Sequence, residues 1–103
     1  MLLQFRLTSI LLLMLVAQAH AQLGTISGNV SDDFGPLAGA KVSILNTDLS
    51  VSCDINGDFN IEIKPGNYKI SAHYLLYKTE TKDVNISFST LHEKVNFTLA
   101  TGS

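Results

Sequence analysis

From Gly24 to Leu99 the apolar residues recur at every second position in short runs, and turn-forming residues separate the runs. Ile26 and Val30 alternate with Thr25, Ser27, Asn29 and Ser31; Val42 and Ile44 alternate with Lys41 and Ser43; Phe59, Ile61 and Ile63 alternate with Asn60, Glu62 and Lys64. Tyr68, Ile70, Ala72 and Tyr74 continue the pattern against Lys69, Ser71 and His73, and Val95, Phe97 and Leu99 close it against Lys94, Asn96 and Thr98. Side chains along a strand point to opposite faces in turn, so a period of two predicts strands with one buried and one wet face. Seven strands are predicted, near residues 24 to 31, 40 to 46, 50 to 53, 58 to 64, 67 to 75, 78 to 87 and 92 to 99, with no helix after residue 21. The punctuation agrees. Asp32-Asp33-Phe34-Gly35-Pro36 is a turn cluster, Asn56-Gly57 predicts a tight hairpin with positive φ at Gly57, and Pro65-Gly66-Asn67 suits a type II turn with Gly66 left-handed. Such a run of strands folds as an all-β, seven-stranded Greek-key β-sandwich.

The first 21 residues break this pattern. A single Arg6 precedes an apolar run from Leu7 to Ala17, and Ala19-His20-Ala21 places small residues where a signal peptidase reads them. This is the three-part secretory signal, and its apolar core is too short for the roughly 20 residues that span a bilayer. The expected organisation is a cleaved signal at 1 to 21, one domain at 22 to 100, and a polar tail at 101 to 103. With no cysteine near the cleavage site, the lipid-modified type of signal is excluded.

Removing the signal changes the composition. Much of the 46% hydrophobic fraction lies within it, and the remainder is an ordinary soluble composition. Six lysines, no arginine and nine acidic residues leave a formal charge of −3, with the lysines scattered, so nucleic acid is not an expected partner. A lone Cys53 allows no internal disulfide and is read as a small buried hydrophobe. A domain of this size buries only about 60 to 65% of its unfolded surface, which predicts no large internal cavity and directs any binding to loops or edges.

The order of residues carries more than their period. GTISGNVSDDFGPLAGAKVSILN followed by CDINGDFNIEIKPGNYKISAHYLLYKT resembles the carboxypeptidase regulatory-like domain family. The family's recurring features correspond to Gly28 to Val30, the turn from Asp32 through Gly35, Pro36 and Gly39 to Ala40, the segment from Asp54 through Gly57 to Phe59, the turn from Pro65 and Gly66 to Tyr68, and His73 to Lys78 with Tyr77. The resemblance implies a transthyretin-like (prealbumin-like) sandwich of the carbohydrate-binding-like kind and a structural motif, not a catalytic one. Within it, Gly39-Ala40 is expected to let the second strand start close to its neighbour, and Phe59 to enter the core. Two positions depart from the pattern: Cys53 stands where the family usually has Thr, and Leu76 stands where it has Gly. Family members are appended to metallocarboxypeptidases, form periplasmic N-terminal extensions of TonB-dependent outer-membrane receptors, or occur as short secreted proteins. The ending LHEKVNFTL is similar to the last strand of the receptor-type extension. With the secretory signal, the expected location is exported: periplasm, outer-membrane periphery or extracellular.

Candidate chemistry is sparse. His73 and His92 lack the spacing of a catalytic zinc site, and no G-x-S-x-G elbow exists, so the chain is expected not to be an enzyme and to need no cofactor. Asp54, Asn56 and Asp58 have the i, i+2, i+4 spacing that begins a calcium loop, without the downstream bidentate Glu; D-x-N-G-D is equally a good turn. By alternation Tyr74 belongs to the core, which leaves Tyr77 alone as a platform for a glycan. The charged composition of residues 78 to 86 predicts an edge strand, where a protein partner's strand would add by backbone pairing. The expected partner is a protein, through that edge or the loops, with a glycan as the weaker alternative and at most a peripheral relation to an outer membrane.

Overall fold

The computed structural model describes residues 22 to 102; the predicted secretory signal, 1 to 21, and the final residue of the polar tail lie outside the described residues. Nine strands follow in chain order: β1 (Gly24–Asp32), β2 (Gly35–Pro36), β3 (Lys41–Ile44), β4 (Ser50–Ser52), β5 (Asp58–Ile63), β6 (Gly66–His73), β7 (Glu80–Ile86), β8 (His92–Lys94) and β9 (Phe97–Thr98). They form two sheets. In the first, β1 is central, with β2 and β5 antiparallel to it and β8 and β9 parallel to it. The second has the order β4-β3-β6-β7 and is antiparallel throughout.

The period of two is visible in the burial. Gly24, Ile26, Gly28 and Val30 alternate with half-buried polar residues along β1, and Phe59, Ile61 and Ile63 are buried along β5 while Asp58, Asn60 and Glu62 are exposed. From the second sheet Val42, Ile44, Ile70, Ala72, Val84 and Ile86 complete one core with Phe97 and Leu99. Among the described residues no buried side chain is polar or charged. Tyr68, Tyr74 and Val95, predicted inward, are only half-buried against the edge of that core.

Each of the seven predicted strands has a counterpart, and the two additional ones have local causes. Gly35–Pro36 is not itself the turn. Asp33 and Phe34 make the turn, and Gly35–Pro36 pairs back on Ser31 and Asp32 as β2. The last predicted strand is interrupted between β8 and β9, because the Asn29 amide donates to the Asn96 side-chain oxygen at 3.0 Å instead of to a backbone carbonyl. At the same break the Val95 carbonyl oxygen leans over β1, where a Cβ on Gly28 would lie 1.7 Å from it. Only glycine admits this approach.

The hairpin at Asn56-Gly57 is a correction. Gly57 has the expected positive φ of 79°, but β4 and β5 lie in different sheets, so the turn is an arch from one sheet to the other. The arch is fixed to β1 by the Val30 amide, which donates to the Gly57 carbonyl at 2.8 Å. Pro65-Gly66 likewise joins two sheets, β5 to β6, and Gly66 opens β6 without positive φ, so the type II turn is not formed. Gly39 does not serve close approach. Its φ is 82°, and a Cβ there would meet nothing within 4 Å, so it serves the loop's backbone reversal.

Residues 80 to 86 do form an edge, as β7. Lys82 lies on the same side of β7 as the buried Val84 and Ile86; its Nζ donates to the Asn96 carbonyl and sits 5.2 Å from the Phe97 ring centroid. An inward charge of this kind is one way an edge avoids indiscriminate pairing. The other edge of this sheet, β4, is only three residues long.

Candidate functional site

Three connections meet at the end of the sandwich where β1 finishes: the β1–β2 turn, the β4–β5 arch and the β6–β7 loop. Asp32, the last residue of β1, joins two of them. Its Oδ1 accepts hydrogen bonds from the amides of Phe34 (2.8 Å) and Gly35 (3.0 Å), and its Oδ2 accepts one from the Tyr77 hydroxyl at 2.5 Å. The Tyr77 bond, with the Phe34 and Gly35 amides behind it, holds the Asp32 carboxyl below the usual carboxylate range. The same bond pushes the Tyr77 hydroxyl above its ordinary value. Tyr74 stacks edge-on against Tyr77 at 5.6 Å between centroids, so the expected lone Tyr77 is instead half of a half-buried pair.

Asn29 joins the third connection. Its Nδ2 donates to the Asn56 carbonyl at 2.8 Å and to Asp58 Oδ1 at 2.9 Å, while its backbone amide binds Asn96. Within the arch, Asp54 Oδ1 accepts the amides of Asn56 (2.9 Å) and Asp58 (3.0 Å). The calcium candidates Asp54, Asn56 and Asp58 therefore sit together, but their oxygens close a turn and bind Asn29 instead of converging on a vacant centre. Among the described residues no group of three or more His, Cys, Asp and Glu is placed to hold a metal ion.

The remaining motif residues are structural in placement. Ala40 and Phe59 are buried, Gly28 and Gly57 lie against backbone, Pro65 and Tyr68 are half-buried, and Tyr68 donates its hydroxyl to the Lys64 carbonyl at 2.6 Å. Cys53 is buried and unpaired, and burial, with Asp54 and Asp58 nearby, pushes its thiol up to about 11. Such a thiol is a poor nucleophile at neutral pH. Leu76, where the resemblance led to the expectation of Gly, has a left-handed backbone with φ of 73°. His73 binds the Thr79 hydroxyl at 3.0 Å and is exposed, as is His92.

The roles of Asn29 and of the Asp32–Tyr77 bond had no sequence signal, because a polar residue on a strand's wet face reads as merely solvated. A concavity of about 710 Å³ is an open depression outside β6 and β7, crossed by the exposed Lys69–Asp83 ion pair at 2.8 Å. Bulky apolar residues instead cap the loop end: Phe34 is 97% exposed, Ile55 83%, Leu75 76% and Leu76 78%.

Comparison with known proteins places this geometry in a family. The chain belongs to the carboxypeptidase regulatory-like (CarboxypepD_reg-like) domain family, whose pattern it matches over residues 26–103. It is 37% identical over 76 residues to structural protein 27 of a virus (isolate Australia/Victoria), covering 73% of this chain and 14% of the viral protein. Among solved structures it is similar to a chain from the type II cohesin–X-dockerin complex of Acetivibrio cellulolyticus. The N-terminal interface mutant of that complex matches with a TM-score of 0.67 at 23% identity, and the C-terminal interface mutant with 0.64 at 26%. Each match covers 77% of this chain and 58% of the solved one. The chain thus spans little of the viral relative's length and just over half of the solved chains.

Proposed function

We propose that this chain is an exported, non-catalytic β-sandwich module that acts by binding another protein. The observation that carries the reading is the employment of its polar motif residues. Asp32, Asp54 and Asn29, polar motif residues at the loop end, are all bonded to loop backbone. Their oxygens and amide hold loops together instead of facing a pocket, which supports a structural role for these residues. The similarity to a chain of a cohesin–dockerin complex, a protein–protein assembly, supports the same reading. Export rests on the signal-like residues 1 to 21.

The test is direct. Purified protein incubated with peptide, ester and glycoside panels is expected to give no turnover; robust activity abolished by His73→Ala overturns the reading. Amino-terminal sequencing of protein expressed from its full gene is expected to begin at Gln22, and retention of residues 1 to 21 would remove the case for export. A second reading, the N-terminal extension of a TonB-dependent receptor, is favoured by the ending LHEKVNFTL, which forms β8 and β9. Downstream DNA encoding a plug and barrel would establish it.

A further inference from the structure

We propose that the loop end of the sandwich is the docking surface for a protein partner that presents an apolar pocket bordered by Lys and Arg. The proposal rests on the interaction-module reading and names the surface and the chemistry of the partner. Phe34, Ile55, Leu75 and Leu76 stand at the tips of three separate connections and are each more than three-quarters exposed. Bulky apolar side chains at such exposure on neighbouring loops mark an interaction site more often than chance placement does.

The tips share one end because the loops are bonded together. Asp32 holds the Phe34 turn and Tyr77 at once. Gly57 packs so closely on β1 and β2 that a Cβ there would lie 2.4 Å from the Val30 carbonyl and 3.0 Å from Pro36. The chain beyond β9 braces the third loop, with the Lys78 amide donating to Ala100 at 2.9 Å and the Gly102 amide to Leu76 at 3.1 Å. Tips carried on a bonded scaffold lose little freedom on binding.

Charge selects the occupant. Asp33 adjoins Phe34 and Asp54 adjoins Ile55, both exposed, so an acidic collar borders these two apolar tips, while on the third loop the exposed Lys78 lies beyond Leu76 and Tyr77. A second copy docked about a two-fold axis would set these carboxylates against their own images. An anionic bilayer would repel them, and the basic residues that bring amphipathic surfaces to such lipids are missing from the Phe34 and Ile55 loops. The residues before Gln22 join the chain at the far end of β1, about 26 Å away by strand rise. A basic-rimmed apolar protein surface matches the collar and the tips together.

The probe is an array of synthetic peptides in three matched sets, each with Leu and Phe anchors flanked by Lys and Arg, by Asp and Glu, or by Ser. The proteins compared are wild type and the Phe34→Ser/Leu75→Ser double variant, which keeps every carboxylate and whose altered side chains are solvent-exposed; circular dichroism confirms that it is folded. The apolar-basic set is expected to bind wild type about tenfold or more tighter than the other sets, and the double variant about tenfold weaker. Amide shifts are expected at residues 33 to 35, 54 to 57 and 74 to 77. Equal binding by the double variant, equal binding of the acidic set, or no binding overturns the proposal. So does association with phosphatidylcholine or phosphatidylglycerol vesicles, or self-association, that the double variant abolishes. Shifts confined to residues 80 to 86 overturn it in favour of strand addition at β7, and the module reading then survives; substrate turnover is what defeats that reading.

Discussion

Gly28→Ala isolates a single contact. In a strand with no special constraint this change is stabilising by roughly 0.5 to 1 kcal/mol, because glycine loses more chain entropy on folding. Here the added methyl would lie 1.7 Å from the Val95 oxygen, 2.6 Å from its carbonyl carbon and 2.9 Å from the Phe59 ring. To regain van der Waals separation the Val95 carbonyl must retreat by about 1.5 Å or more. That movement breaks the 2.8 Å bond from the Val95 amide to Ser27 and disturbs the 3.0 Å bond from the Asn29 amide to Asn96. Two hydrogen bonds at about 0.5 to 1.5 kcal/mol each, with overpacking at about 1 to 3, give a destabilisation of about 3 kcal/mol. For a domain of this size that lowers the melting temperature by about 12 to 24 °C. Thermal and urea melts followed by circular dichroism measure it, and the sign decides: a variant that melts with or above the wild type refutes the close approach and the account of the β8–β9 break.

Two further outcomes are expected. Leu76→Gly should be more stable than Leu76→Ala by roughly 0.5 to 1 kcal/mol, since both lose the same exposed side chain but only glycine relieves a left-handed backbone that costs about 1 to 2 kcal/mol with a Cβ present; equal urea midpoints would refute the strain. The Asp32–Tyr77 bond predicts two pH limits: the lowered Asp32 value stabilises the fold above the ordinary carboxylate range and is lost as pH falls through it, and the raised Tyr77 value stabilises it below about 10 and is lost as pH rises through it. Urea midpoints from acid to alkaline pH should therefore fall more steeply at both ends in wild type than in Tyr77→Phe, and parallel profiles would remove the bond from the account.

The strands and their faces were legible because alternation is a property of each strand alone. Ile26, Val42, Phe59 and Ile70 are buried where the period of two put them. Sheet membership was not legible, for the chemistry of Asn56-Gly57 specifies a reversal of direction but not which sheet receives the next strand. Long-range polar ties were equally hidden: Asp32 and Tyr77 are 45 positions apart, and Asn29 and Asn96 are 67 apart. Phe34 and Ile55 did carry a signal, being bulky apolar residues inside polar turns and outside any alternation. Leu76 carried another as the departure from a family glycine, and its positive φ is a conformation that glycine would adopt without strain.

The parallel pairing of β8 and β9 with β1 also governs how the molecule is made. Thr25 aligns with His92 and Val30 with Phe97, so the oldest strand of the domain waits for the youngest one. Phe97, fully enclosed, is among the largest core side chains and arrives with the last strand of the domain. Contacts between such distant positions slow folding. Until residues 92 to 99 emerge, β1 has a bare flank and the core lacks its floor. A nascent domain of this kind cannot complete its core until its last strand arrives, and then it closes late, like a clasp.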